Sequence, residues 1–344
     1  MIIRLKKRWL IVSSALSVTI CLFFALWLGV TANDRAEKEY IRWAEMNVSL
    51  NALKDTMELD ISTFDKLYHI SWIDSLSYLA CQNGNNWSGY KKSQLDGMLK
   101  ELGDIYTVDE LMSDNRYYSY YKETFEAMLG GFLSEYEKQI PDGKGGETTR
   151  KGYGLVAYSP IAEGFYYSHY DDFGVGRSYG YRRSHQGNDL MGYVGTPIVS
   201  VEGGTVESIG WNRYGGWRLG IRSFDGKRSY YYAHLKKDNP YADGIKQGSR
   251  VKAGQVIGYM GMTGYSQTEN VNGMKAPHLH FGMQLIFDES QKEGTNQIWL
   301  DMYNLVKLLS QNRATVVKKE NGHYERKYDI VLPDYPSELQ SLLP

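Results

Sequence analysis

Pro277-His278-Leu279-His280-Phe281 is the stretch that decides the fold of the second half of this chain. Side chains two residues apart share one face of a β-strand, so a strand here would direct both imidazoles into one groove and Leu279 into the core. Pro277 is tolerated where a strand begins. The pair alone is equally compatible with two neutral histidines on a sheet surface, so its meaning depends on partners elsewhere.

Two further histidine motifs precede this strand. His185 and Asp189 lie four residues apart, and the glycine between them favours an extended or looped segment over a helix. His185, Asp189 and one histidine of the later pair would give three nitrogen or oxygen ligands, the number that leaves a catalytic zinc an open position. His234 follows a run of three tyrosines, and alone it is more typical of a surface histidine.

The sequence around these motifs is typical of a β domain. Short β-branched and aromatic runs at 196–201, 218–223, 229–233 and 256–260 are divided by glycine or proline turns. We therefore predict a β domain over 155–310, which ends in a helix around 302–310. The remainder, 311–344, reads as a polar tail in which three prolines discourage regular structure.

The preceding segment, 33–140, has helical spacing of its apolar residues and predicts an α-helical domain. Thr107 and Glu110 fit a capping box that opens a short helix. The glycine-rich sequence that begins at Pro141 breaks this pattern, and we predict a flexible linker over 141–154. The fold class is thus multidomain, with helices followed by a β domain.

The N-terminus predicts a membrane anchor. Residues 9–31 carry no charged side chain and are long enough to span a bilayer, and the basic residues of 1–8 would stay in the cytoplasm. We predict a cytoplasmic segment 1–8, a transmembrane helix 9–32 and a single-pass protein whose ectodomain lies outside the cytoplasm. A cleaved signal peptide and a secreted protein are the alternative.

Composition excludes several function classes. The 39 Lys and Arg balance 40 Asp and Glu, so the net charge of -1 gives no electrostatic reason to bind nucleic acid. The two cysteines, Cys21 in the predicted anchor and Cys81 beyond it, do not make a disulfide scaffold. The apolar and charged fractions are those of a globular protein.

In their order and spacing, the motifs resemble the LytM/lysostaphin-type zinc endopeptidases, which cleave peptides of bacterial peptidoglycan. The resemblance covers roughly 160–290, and its motifs are His185-x-x-x-Asp189, the Tyr-Ala-His234-Leu segment, 252–258 and 277–281, with matches to early strands at 195–199 and 203–206. The helical segment and 168–174 resemble the membrane-anchored members of this family in clostridia-like Firmicutes.

The resemblance implies a mainly antiparallel β peptidase domain with a narrow groove that holds Zn²⁺, on an ectodomain that faces the cell wall. His185, Asp189 and His280 would bind the metal, while His278 and His234 would be catalytic, one as the base for the attacking water and the other at the oxyanion, with these two roles open to exchange. The implied function is a zinc metalloendopeptidase that hydrolyses peptide bonds of peptidoglycan stem peptides or cross-bridges with a zinc-activated water.

Two alternatives and two departures accompany this expectation. A non-catalytic, membrane-anchored scaffold of a sporulation or division complex would bind peptidoglycan or a partner protein, and the helical domain could hold such a partner. Scaffolds of this type usually lose a ligand, whereas this chain retains all three. Glycan cleavage lacks a convincing carboxylate pair.

The loop 265–276 is longer than in many relatives and should border the groove, and Gly282 stands where relatives often carry Glu.

Overall fold

Residues 40–103, 107–178 and 182–341 are described by a computed structural model of the chain. The predicted cytoplasmic segment 1–8, the predicted anchor 9–32 and the start of the predicted helical domain lie outside these residues. Within the described residues, no helix is both long enough and apolar enough to cross a membrane.

Some of the described helices begin where short polar side chains cap them. The hydroxyl of Ser49 accepts a hydrogen bond from the Ala52 amide, and Thr107 and Glu110 form the predicted capping box, which is confirmed. The described α-helices are α1 (Leu50–Thr63), α2 (Trp72–Asn83), α3 (Lys92–Leu102), α4 (Val108–Leu111), α5 (Tyr118–Leu129) and, much later, α6 (Tyr303–Leu309). The helix predicted around 302–310 is therefore present.

Short strands make up most of the remaining chain, as the turn-rich sequence predicts. In chain order they are β1 (Leu133–Pro141), β2 (Glu147–Leu155), β3 (Ser168–His169), β4 (Gly176–Ser178), β5 (Arg182–Ser184), β6 (Asn188–Met191), β7 (Pro197–Val199), β8 (Gly204–Asn212), β9 (Gly216–Ser223), β10 (Arg228–Ala233), β11 (Arg250–Val251), β12 (Val256–Tyr259), β13 (His278–Leu285), β14 (Ile298–Leu300), β15 (Val316–Lys318), β16 (Tyr324–Arg326) and β17 (Ile330–Val331).

The main sheet is antiparallel and has β13 near its centre. Among the described residues its strand order is β11-β8-β9-β10-β13-β6-β3. β14 pairs with the C-terminal half of β13, beyond the point where β6 ends. The segment that carries the His-x-His motif is therefore held by hydrogen-bonded strands on both sides, which fixes the direction of its side chains.

Residues 141–154 form a turn and most of β2 instead of the predicted linker. β1 and β2 pair in continuous register from Leu133 opposite Leu155 to Pro141 opposite Glu147. The carboxylate of Asp142 accepts hydrogen bonds from the amides of Lys144 and Gly146 and so stabilises the glycine-rich turn. Glycines that resemble a linker in sequence are here the turn of a hairpin.

The C-terminal segment 311–344 is also more ordered than the predicted polar tail. β15 and β16 form a hairpin, and β17 adds to the outer edge of β1. Ile330 and Tyr335 are buried, and the Asp329 carboxylate lies 2.7 Å from the Lys252 ammonium in the interior. A few apolar side chains among many polar ones are sufficient to dock this segment on the β domain.

The helices and the main sheet share one apolar core within the compact unit Ile41–Pro344. The cluster includes Leu53 and Leu76 of the helical segment, Phe281 of β13 and Leu308 of α6, all almost completely buried. The helical segment is therefore packed as part of the body that carries the histidine motifs.

Candidate metal centre

β6 and β13 bring the predicted ligands together. The strands are antiparallel neighbours, with His280 directly opposite Asp189. Directly opposed residues direct their side chains to the same face of a sheet. Leu279 and Leu190, which are opposed on the other face, are fully buried in the core. The strand predicted from the alternation of His278, Leu279 and His280 is confirmed.

His185 reaches the same face from the segment just before β6. This segment passes close to β13 at Gly187, where an added Cβ would lie 2.7 Å from the carbonyl oxygen of Phe281 and 2.8 Å from Cε1 of His280. Contacts that short exclude any side chain at this position. Gly187 therefore allows the chain to place His185 beside His280.

Three ligand-type atoms form a tight triangle on this face. His185 Nε2 lies 2.8 Å from His280 Nδ1 and 3.2 Å from Asp189 Oδ1, and His280 Nδ1 lies 3.3 Å from the same oxygen. Ligands about 2.0–2.1 Å from a tetrahedral zinc would be separated by about 3.3 Å. The triangle fits such an ion, and it is the one cluster of this kind within 40–103, 107–178 and 182–341.

Asp172 and Arg177 support the triangle from outside, and the sequence did not predict either as a site residue. The Asp172 carbonyl oxygen lies 2.9 Å from His185 Nδ1, which leaves Nε2 to face the triangle. The Arg177 guanidinium donates to Asp189 Oδ2 at 2.9 Å and to Asp172 Oδ2 at 2.6 Å. Arg177 comes from the separate hairpin β4–β5, and no spacing in the sequence links it to the ligands.

Burial and these hydrogen bonds set the charges of the cluster. Burial alone would lower the pKa of His185, but its hydrogen bonds to Asp172 and Asp189 outweigh burial and raise that pKa to about 9. Burial would raise the pKa of Asp189, but its histidine partners hold that pKa well below its usual range. Burial lowers the pKa of His280. Asp189 is thus a carboxylate anion surrounded by imidazole rings, and the negative charge suits it to bind a metal cation.

Asp172→Asn is expected to weaken metal binding about 10- to 100-fold while the fold is kept. The substitution removes a negative charge beside the ligands and weakens the contacts that orient His185 and Asp189. Titration against a competing chelator measures the effect. Asp171→Asn makes the same chemical change at the exposed neighbouring residue and should leave affinity unchanged. Equal affinity in both variants would contradict a supporting role for Asp172.

His278 and His234 lie beside the triangle, each with one ring nitrogen already engaged. His278 Nδ1 lies 2.9 Å from the Ala276 carbonyl oxygen, and His234 Nδ1 lies 2.7 Å from that of Thr263. The rings are 4.7 Å apart, and His278 Nε2 is 3.9 Å from Asp189 Oδ1. Both carbonyls favour the tautomer that carries its proton on Nδ1, so Nε2 of each ring can accept a proton.

The backbone at His234 is strained in a way that serves this placement. Its φ of 60° is in the left-handed region, which is uncommon for a residue with a side chain. Hydrogen bonds hold it there, since its amide donates to the Gly215 carbonyl at 2.7 Å and its ring to Thr263. The sharp turn after β10 brings the imidazole over the site.

The other described histidines lie apart from this cluster. His69 lies 2.9 Å from the Asp60 carboxylate, and His323 lies 2.6 Å from that of Asp243. The ring of His169 packs against that of Tyr303, with 4.8 Å between the ring centres. The structure therefore brings together the five predicted site residues and leaves these three elsewhere.

The cluster opens into a groove made of two adjoining cavities. All five predicted site residues line a cavity of about 310 Å³, and Asp189 and His278 also line a neighbouring cavity of about 750 Å³. Tyr265 and Met274 contribute to both cavities. The prediction that the long loop 265–276 borders the groove is confirmed.

Gly282, the second departure from the family pattern, is explained by Trp299. A Cβ added at Gly282 would lie 2.9 Å from the indole ring of Trp299 and 3.0 Å from the Gln186 carbonyl oxygen. Trp299 lines the smaller cavity, so an aromatic ring occupies the position beside β13 that a longer side chain would need. The groove of this chain is shaped by that ring.

Residues 183–294, which contain all five site residues, match the model of peptidase family M23. This segment is an M23 domain. The M23 domain of this chain is homologous to the LytM/lysostaphin-type peptidoglycan endopeptidases, as the motifs led us to expect. The matched segment includes the His/Asp/His cluster and the strands β6 to β13.

Two relatives show the extent of this similarity. The L-Ala–D-Glu endopeptidase of Bacillus subtilis is 45% identical over 117 residues, which cover 34% of each chain. Lysostaphin of Staphylococcus simulans is 41% identical over 98 residues, which cover 28% of this chain and 17% of that protein. The chain therefore spans about a third of the first relative's length and less than a fifth of the second's.

A solved structure extends the comparison beyond the M23 domain. It is a Ruminococcus gnavus protein with the provisional designation glycyl-glycine endopeptidase lytM, and it covers 77% of this chain and 89% of its own length with a TM-score of 0.51. The sequence identity is 24%, so the match supports the fold. Helices followed by an M23 sheet are an arrangement that another protein shares.

Proposed function

We propose that this protein is a zinc metalloendopeptidase that hydrolyses peptide bonds of peptidoglycan stem peptides or cross-bridges. The triangle of His185, Asp189 and His280, open to a groove and bordered by His234 and His278, carries the proposal. Imidazole nitrogens and a carboxylate oxygen, without thiolate, are a donor set of catalytic rather than structural zinc. Zinc at this position would supply a Lewis acid for the scissile carbonyl and would lower the pKa of a water molecule.

His278 is suited to be the general base. Its Nδ1 is held by the Ala276 carbonyl, and its Nε2 is directed toward Asp189, so it can accept a proton from a water that attacks at the cluster. It would then deliver this proton to the leaving amine, as microscopic reversibility of proton transfer allows.

His234 is suited to stabilise the oxyanion that forms on the scissile carbonyl. Its ring is 4.7 Å from His278 and 6.0 Å from His280, and the Thr263 carbonyl fixes its orientation. Once its Nε2 has accepted a proton, the ring can donate from that nitrogen to the oxyanion, and a donor that is already oriented costs no reorganisation in the transition state. His234 and His278 face the same side of the cluster, so their two roles remain open to exchange.

Peptidoglycan peptides are the proposed substrate because of the relatives' activities and the shape of the groove. The names of the relatives specify an L-Ala–D-Glu bond in one case and a glycyl-glycine bond in another. The groove extends from the cluster into the second cavity, and aromatic rings such as Tyr231 and Trp299 line it.

Mass spectrometry of purified muropeptides after incubation with the zinc-loaded protein tests this function. We expect new fragments that a chelator prevents and that added zinc restores. The fragment masses would also identify the bond that is cut. Binding of muropeptides without cleavage, across several cross-link types, would instead support a non-catalytic scaffold.

The location of the protein is proposed from the sequence alone. We propose that 9–32 anchors the chain in the cell membrane and that the ectodomain faces the wall, where its substrate lies. A protein partner bound through the helical segment is proposed on the same basis.

Protease added to intact protoplasts should remove the ectodomain and leave the anchor in the membrane. The charge asymmetry between 1–8 and 9–31 motivates this expectation. Immunoblots with antibodies against the M23 domain, before and after protease, measure the effect, and a cytoplasmic protein serves as the control for lysis. A soluble mature form in the medium that begins near Asn33 would show that the segment is a cleaved signal peptide.

A further inference from the structure

Arg183 is a positively charged side chain inside the groove that the proposed mechanism does not use. It lies on β5 directly opposite Arg177 of β4, so both side chains project from the same face of the hairpin. Arg177 forms ion pairs with the carboxylates of Asp172 and Asp189. Arg183 lines the smaller cavity and forms neither of these ion pairs.

Two tyrosines hold the Arg183 guanidinium in place without neutralising its charge. Its central carbon lies 4.7 Å from the ring centre of Tyr214 and 5.5 Å from that of Tyr265, and one nitrogen donates to the Tyr265 hydroxyl at 2.7 Å. The Tyr265 amide donates to the Tyr214 carbonyl at 3.3 Å, which ties the two tyrosines to each other. Stacking orients the guanidinium plane and leaves most of its five N–H donors available.

No carboxylate among the described residues forms an ion pair with Arg183. Two arginines whose side chains are largely buried do have such partners: Arg228 pairs with Glu202, and Arg326 pairs with Asp329. Asp189 is the one carboxylate among the described residues that line the smaller cavity, and its oxygens are already engaged by His185, His280 and Arg177. The cavity thus holds a cation that forms no ion pair with a carboxylate of the described residues and is available to an anionic group of a ligand.

Arg183 lies close to a residue that is proposed to act in hydrolysis. The Tyr265 ring that contacts Arg183 is also 6.1 Å from the ring of His234. One tyrosine therefore separates the guanidinium from a residue proposed to act on the scissile carbonyl. An extended peptide advances about 3.3 Å per residue, so a group bound by Arg183 would lie within about three residues of the cut bond.

We propose that Arg183 is a specificity-determining residue that binds a carboxylate of the peptide substrate close to the cleaved bond. This inference rests on the proposed function and narrows its substrate class to acidic peptides. The planar guanidinium, held by its faces, can bind a carboxylate through two parallel hydrogen bonds. A carboxamide at the same place would keep the shape of the peptide but lose the charge.

The test compares muropeptides with their free carboxylates against the same muropeptides after carbodiimide coupling with ammonia, which converts carboxylates into carboxamides. With the zinc-loaded full chain, we expect amidation to lower kcat/KM about 10- to 100-fold. Arg183→Gln should cleave the two forms equally, and Arg183→Lys should retain part of the preference because it keeps the charge.

Arg213→Gln is the matched control. Arg213 also stacks on Tyr214, at 4.4 Å, and donates to its hydroxyl, but it is exposed and lines neither cavity. This variant should keep the wild-type preference for the acidic form. A structural role of arginine–tyrosine stacking would affect both forms of the substrate alike in either variant.

Two results would overturn the inference: wild-type protein that cleaves both forms equally, or a preference that persists in Arg183→Gln. Failure of the proposed function is a different result, in which the wild-type protein cleaves neither form. Binding titrations with the same two muropeptides then decide the inference. Tighter binding of the acidic form that is lost in Arg183→Gln would support it, and equal binding of both forms would refute it.

Discussion

Asp189→Ala is expected to reduce bound zinc from about one ion per chain to almost none after dialysis, and to abolish peptide hydrolysis. The substitution removes the anionic ligand and leaves His185 and His280 without the negative charge that balances a cation. Two neutral imidazoles are a much poorer zinc site than two imidazoles and a carboxylate. Metal analysis of dialysed protein and cleavage of muropeptides by the same preparation measure the two effects.

A second aspartate–histidine pair provides the control for this experiment. Asp243 lies 2.6 Å from His323 Nδ1, and neither residue lines the two cavities, so Asp243→Ala breaks a contact of the same kind without touching the cluster. It should leave zinc content and cleavage unchanged. Circular dichroism checks that Asp189→Ala is folded. Full zinc occupancy in folded Asp189→Ala would show that a different set of residues holds the metal.

The sequence predicted the centre of the site because its residues are local to strands with a clear pattern. His278, Leu279 and His280 alternate between the groove and the core, and His185 and Asp189 lie four residues apart on a segment that is extended rather than helical. The side-chain directions of a strand depend on its pleat alone. The roles of all five site residues, three as ligands and two as catalytic histidines, came from the resemblance to the LytM/lysostaphin-type family.

The residues that the sequence did not reveal act through contacts between distant segments. Arg177 and Arg183 are ordinary arginines in a glycine-rich and tyrosine-rich stretch, and nothing near them in sequence indicates a role. Their function depends on where the β4–β5 hairpin lies relative to β6 and the loop 265–276. Such placement is a property of packing, which spacing and periodicity do not encode.

The structure of 141–154 differs from the predicted linker for a related reason. Proline and glycine at 141–146 are as typical of a hairpin turn as of a linker, and the choice depends on whether the flanking strands find partners. Here β1 pairs with β2 on one side and β17 on the other. Pairing with β1 also makes β17 a strand, although the polar sequence of the C-terminal segment does not predict a strand there.

His278→Ala and His234→Ala are each expected to keep zinc and to lose hydrolysis by about 10²-fold or more. Neither residue supplies an atom to the triangle, since the contacts between its members are made by His185, Asp189 and His280. Each ring lies close enough to act on a water or a carbonyl at that triangle. Zinc content and cleavage rate should be measured on the same preparation, with cross-linked peptidoglycan as substrate.

His323→Ala serves as the matched histidine control, because His323 lies outside the groove and its replacement should change neither zinc content nor cleavage rate.

The double variant His278→Ala/His234→Ala adds a test of whether the two rings act on one step. If both act in the same transition state, the double variant should lose less than the product of the single losses, since removal of one ring already disables the step that the other supports. Cleavage at the wild-type rate by zinc-loaded single variants would refute the catalytic roles. Zinc loss in a folded single variant would instead show that the replaced histidine is a metal ligand.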